Sequence, residues 1–178
     1  MKRLAALLML SSGLLAADCL SHDLNDKQRL AKFQELDHAA QAAFERGQYN
    51  AAAEQYREAT CLAPHSARAF YGLGMAEAAA GNFPAARKAL ETASGILPDS
   101  AMPLAMLVRV DVAMKDAEAV KAVLRRAAQS FPKDSELHAG LARFLAEKQL
   151  LDLALAESLR VEQNGSSAPE ALVALAVV

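Results

Sequence analysis

The chain has 178 residues, of which 53% are apolar, 22% charged and 5% aromatic, with no Trp; that is enough for one domain with a real core. The apolar excess is mostly Ala and Leu, which points to helices packed through small and medium side chains. A formal net charge of −2 gives no sign of the strongly basic surface expected for nucleic-acid binding.

In chain order, residues 1–17 read as a cleavable export signal. Lys2 and Arg3 form a positive start, Leu4 to Leu15 an apolar stretch, and Ala16-Ala17 a small-residue cleavage site. The stretch has no polar face, which argues against a helix packed on the body. It is also shorter than the about 20 apolar residues of a membrane span. Cys19 follows Asp18 rather than a small residue, which argues against lipidation. Cleavage after Ala17 leaves 17 basic and 21 acidic residues, a net charge of −4. The expected compartment is the bacterial periplasm. An exported chain can form disulfides, but the distance in sequence between Cys19 and Cys61 establishes none. Residues 18–32 form an extension: polar to about residue 25, then a lead-in helix from about Asp26 through Leu30, Phe33 and Leu36.

Beyond this point the chain repeats itself. Pro64, Pro98 and Pro132 are spaced by 34 residues, and that shift superposes Tyr49 on Phe83, Ala52 on Ala86, and Tyr56 on Leu90 and Leu124. It also superposes Ala59 on Ala93 and Ala127, Leu73 on Leu107 and Leu141, and Gly47 on Gly81. Four units follow, at 33–66, 67–100, 101–134 and 135–166. Ser66, Ser100 and Asp134 each stand two residues after a proline and are predicted to cap the first helix of the next unit. In the second unit Gly81-Asn82 stops that helix, and Pro84 opens a second one carrying Ala86, Leu90 and Ala93 on one face.

The order Phe70, Leu73-Gly74, Gly81, Phe83, Ala86, Leu90, Ala93, Pro98 resembles the tetratricopeptide repeat family, whose helix–turn–helix unit is about 34 residues. The first unit supplies Leu36, Gly47, Tyr49, Ala52, Tyr56, Ala59 and Pro64. The third keeps Leu104, Leu107, Leu124, Ala127 and Pro132. The fourth is worn, with Ser158, Val161 and Ser166 where an apolar residue, Ala and Pro are usual. The resemblance implies an all-α, right-handed α-α superhelix. In every unit the aromatic expected after Leu-Gly is replaced, by Ala43, Glu77, Asp111 and Leu145, which leaves the packing there open.

Small residues are expected where the two helices of a unit meet: Ala40 with Ala52, Gly74 with Ala86, Val108 with Val120, and Ala142 with Ala154. Interaxial distance follows the side chains at the contact, so the third unit should stand wider than the second. The glycines of YGLGMAEAAAG, Tyr71 to Gly81, fit this packing better than a nucleotide site. They match neither the dinucleotide spacing nor the P-loop, and no strand lies nearby. Gly72 matches no family requirement; it leaves space beside Tyr71 or weakens the helix.

Chemistry is sparse. His22, His38, His65 and His138 share no metal-ligand spacing, and no Ser or Cys nucleophile stands in a recognisable context. Neither catalysis nor a cofactor or metal is expected. The resemblance implies instead a concave face lined by the first helix of each unit, which binds a protein or peptide partner. Carried onto this chain, its groove positions centre on Phe44, Arg68, Tyr71, Met75, Met102, Arg109 and Arg143. Arg beside aromatic and Met surface suits an extended peptide or a partner helix with some acidic character; alternatively, the arginines only solvate the face. The chaperone-tail clamp of the family is absent, since Asp37, Gln41, Gly72, Met102 and Met106 occupy its positions.

After Asn164-Gly165, residues 167–178 read as the first helix of a truncated fifth unit, with Leu172 and Leu175 in register with Phe70 and Leu73. This apolar ending suggests that the repeat array continues. The expected function is a scaffold for protein–protein interaction, within a cell-envelope complex. The alternative is an N-terminal scaffold or regulatory module of a larger exported enzyme.

Overall fold

The computed structural model of the protein describes residues 24–165. The export segment, Cys19 and the apolar segment 167–178 lie outside the described residues. Eight α-helices and no strands occur among them: α1 (Asp26–Glu45), α2 (Tyr49–Leu62), α3 (Ala67–Ala79), α4 (Phe83–Ile96), α5 (Met102–Ala113), α6 (Ala117–Ser130), α7 (Ser135–Glu147) and α8 (Leu151–Gln163). They pair as four successive hairpins, α1/α2 to α7/α8, whose second helices begin 34 residues apart. The lead-in merges with the first unit: α1 starts at Asp26, and Asn25 and Gln28 bond each other's backbone in a capping box.

Helix starts follow the sequence signals with two departures. Ser66 accepts from the Ala69 N–H, and Asp134 from the Leu137 N–H. Ser100 was expected to do the same, but α5 starts later, after Ala101, without a side-chain cap. The donor three residues beyond Ser100 would be Pro103, which has no N–H to give. Pro84 is the second residue of α4 rather than the first, because Phe83 already belongs to the helix.

Every first helix ends in the same turn. Gly47, Gly81, Lys115 and Gln149, at 34-residue intervals, all take positive φ, of 73°, 84°, 58° and 61°. Each turn closes with two backbone bonds, such as Gly81 N–H to Ala78 O at 3.1 Å and Asn82 N–H to Glu77 O at 2.8 Å, the Schellman pattern. The residues that replace the family aromatic, Ala43, Glu77, Asp111 and Leu145, are those whose carbonyls accept the longer-range bond. All four are buried. Leu145 is an apolar residue with Leu150 at the matching turn position, whereas Glu77 accepts a bond of 2.9 Å from Asn82 Nδ2 and an ion pair from Arg57 of α2. Asp111 is 0% exposed and faces Arg87 of α4 at 3.3 Å; burial pushes its carboxyl up, with the Arg87 charge opposing. Two units thus hold a buried acid where the family holds an aromatic, and each acid is matched by an arginine of the preceding unit.

The small residues expected at these contacts all lie inside the stack. Ala40, Ala52, Gly74, Ala86, Val108, Val120, Ala142 and Ala154 are all buried. A Cβ on Gly74 would lie 2.6 Å from Leu90 Cγ and 3.3 Å from the Ala86 carbonyl oxygen, so only glycine fits without a shift. The backbones of α3 and α4 run in close apposition over more of their length than those of α5 and α6, as the paired valines require. Gly72 also has a packing reason that the sequence did not show. The Tyr56 ring of α2 lies across it, with ring carbons 2.6 Å from where a Cβ would stand.

The core is a file of apolar clusters rather than one ball. One holds Leu36, Ala59, Leu62 and Ala69; the next Ala43, Ala52, Leu73 and Ala89; the largest runs from Ala86 through Leu107 and Leu124 to Leu145 and Ala154. Each unit buries its apolar faces on its neighbours, the energetic signature of a solenoid. Cys61, on α2, is not a free thiol.

Candidate functional site

The first helices α1, α3, α5 and α7 lie side by side, so side chains 30 to 40 residues apart in sequence meet on their common face. Two of the expected site residues are committed to internal contacts. The Arg68 guanidinium of α3 grips the Asp37 carboxylate of α1 through both oxygens, Nη2 to Oδ2 at 2.8 Å and Nε to Oδ1 at 3.2 Å. This two-pronged geometry ties the first two units together and cancels the Arg68 charge. Phe44 is half-buried, edge-on to Tyr49 at 5.2 Å between ring centroids, and packs on the Ala43 and Ala52 cluster. It holds the tip of the first hairpin.

Tyr71 and Met75 are half-buried on α3. Tyr71 packs against the largest core cluster. Burial pushes its phenol up, while the nearby Arg109 charge opposes the shift. Arg143 is exposed on α7 and is engaged in an interaction of its own. Met102 is 59% exposed, a large apolar surface left open to solvent.

Met102 and Arg109 come together at a cavity of about 370 Å³ between α5 and α7. Its apolar lining includes Ala105, Leu137, Leu141 and Phe144, with Gly140 in the wall and Asp134 and Glu136 at one end. Arg109 lies over the Phe144 ring, 4.6 Å from Cζ to the centroid, and Lys148 Nζ approaches the same ring at 5.8 Å. The ring attracts both cations, so positive charge gathers at the end opposite the two acids. Phe144 is the site residue missed in the sequence. It stands where Ala76 and Val110 stand in earlier units, both buried, and it is itself only 8% exposed and part of the largest core cluster; only its greater size was a signal.

Behind this wall lies a buried ion pair. His138 is 0% exposed; its Nδ1 lies 2.6 Å from Glu157 Oε2 on α8, and its Nε2 lies 2.9 Å from the Phe131 carbonyl oxygen. Both neighbours are acceptors, so both ring nitrogens donate and the imidazole is held in its charged form. The hydrogen bond to Glu157 is the largest cause raising the His138 pKa, against burial. The pair joins the two helices of the fourth unit to the turn before α7. Among the described residues, no group of three or more His, Cys, Asp or Glu side chains could hold a metal, and no helix is long and apolar enough to cross a membrane.

Stacked helical hairpins with a 34-residue period define an α-helical solenoid. Residues 43–109 match the family model described as tetratricopeptide repeat. The fold of the chain is similar to the crystal structure of MamA, with a TM-score of 0.60 and 20% identity, covering 75% of this chain and 78% of that one. It is similar too to YrrB, described as a TPR protein with an unusual peptide-binding site, with a TM-score of 0.54 and 21% identity, covering 76% and 74%. Among curated proteins, no sequence matches the chain at a significant level.

Proposed function

We propose that this protein is an exported scaffold whose groove along α1, α3, α5 and α7 holds a peptide or helix of a partner within a bacterial cell-envelope complex. The observation that carries the reading is the α5/α7 cavity, apolar inside and edged by an arginine positioned over an aromatic ring. Such a surface offers the apolar contact and planar cation that recur at the centres of protein interfaces. Residues 1–17 support export, and the likeness to a repeat protein with a peptide-binding site supports the ligand class.

Of the expected groove residues, this reading centres on Met102 and Arg109. Arg68 and Phe44 serve the frame, whereas the exposed Met102 and Arg109, with Tyr71 nearby and Phe144 buried under Arg109, mark the proposed contact surface. Affinity capture from an envelope extract tests this with wild type and the Arg109→Glu/Arg143→Glu double variant. The partner recovered by wild type is lost on the variant, whose far-ultraviolet circular dichroism is unchanged. Undiminished capture by the variant refutes the reading.

A further inference from the structure

Gly140 sits inside helix α7, where glycine costs about 0.5–1 kcal/mol relative to alanine, and no internal contact requires it. A Cβ there would meet no atom within 4 Å. Its counterparts in earlier units are filled: Gly72 is covered by the Tyr56 ring, and Met106 brings its own side chain. Only the fourth unit leaves this position open, and it opens into the α5/α7 cavity.

The charges around the opening are ordered. Asp134 and Glu136 stand at the end where α7 begins, beside Met102 at the start of α5. Arg109, seven residues further along α5, covers Phe144 at the other end, with Lys148 nearby. Seven helical residues span about 10 Å, the length of about three residues of extended chain. We infer that this site takes an extended peptide that inserts one bulky apolar side chain into the Gly140 opening. It places a basic residue beside Asp134 and Glu136 and an acidic residue beside Arg109. The inference rests on the groove reading above and gives it a sequence preference: basic, apolar and acidic side chains within about three residues.

Selection from a phage-displayed library of random dodecapeptides on the full chain tests it, with Gly140→Leu and the charge-exchanged Arg109→Glu/Glu136→Lys variant in parallel. Wild type enriches peptides with a bulky apolar residue between a basic and an acidic one. Filling the opening in Gly140→Leu weakens a synthetic peptide of that sequence by about tenfold or more, measured by fluorescence anisotropy. The thermal midpoint of this variant is not lowered, since leucine is the better helix former. The charge-exchanged variant enriches the reversed order of charges. Enrichment of the same sequences by wild type and Gly140→Leu overturns the anchor while leaving the groove reading intact. No enrichment on any of the three proteins overturns both.

Discussion

Four backbone positions in one conformation, two with glycine and two without, provide a test inside a single chain. Gly47, Gly81, Lys115 and Gln149 all have positive φ and close equivalent turns. The left-handed conformation costs an L-residue with a side chain roughly 1–2 kcal/mol. Glycine escapes that cost but loses roughly 0.5–1 kcal/mol through the greater freedom of its unfolded chain. Lys115 and Gln149 are exposed, so their removal sacrifices no core packing. Each Lys115→Gly or Gln149→Gly change should therefore stabilise by about 0.5–1 kcal/mol. The sites lie in different units and share no partner, so the effects add. Together they give about 1–2 kcal/mol, a rise in Tm of roughly 2–8 °C for a chain of this size. The reverse arm is Gly81→Ala: an added Cβ meets nothing within 4 Å, so its loss of about 1 kcal/mol comes from the backbone alone. Urea denaturation followed by circular dichroism at 222 nm measures both. A double glycine variant at or below the wild-type midpoint, or a neutral Gly81→Ala, refutes the reasoning.

Within helices, glycine should behave in two opposite ways. Gly74→Ala forces Leu90 from its place and should destabilise by about 1–3 kcal/mol despite alanine's better helix propensity, whereas Gly95→Ala, with open space around it, should stabilise by about 0.5–1 kcal/mol; equal midpoints for the two would discount the close approach of α3 and α4. The buried His138–Glu157 pair makes stability pH-dependent. The folded pKa of His138 lies above its ordinary value of 6.5, so its stabilising contribution is complete below about pH 6.5 and is lost as pH rises through the higher folded value. Urea midpoints at pH 6, 7 and 8 should fall in that order for wild type, and a rising series would contradict the charged pair.

Most of the fold was legible because its signals are local. Gly47 and Gly81 announce the turns, Pro84 a helix start, and the Ala and Leu positions the faces that pack. Even the failure at Ser100 follows from a residue in plain view, Pro103. The identity of partners was less accessible. Arg68 reads as a groove cation until Asp37, 31 residues earlier, is seen to hold it. Gly72 has no evident purpose until the Tyr56 ring is found across it. The acids at 77 and 111 look misplaced until Arg57 and Arg87 are seen to meet them from the preceding unit.

What the sequence by itself determined is the unit: two helices, their caps and turns, and the 34-residue repetition that obliges each unit to bury its apolar face on the next. Those features depend on the conformational preferences of single residues and on helical periodicity, both written along the chain. The tertiary structure decided what stands opposite what. It laid Arg109 over Phe144, freed Met102, and left Gly140 open beside a cavity while closing Gly72. These outcomes depend on the offset and rotation between successive hairpins. That geometry emerges only when side chains from separate units pack together, because each unit's interface is shaped by both neighbours at once.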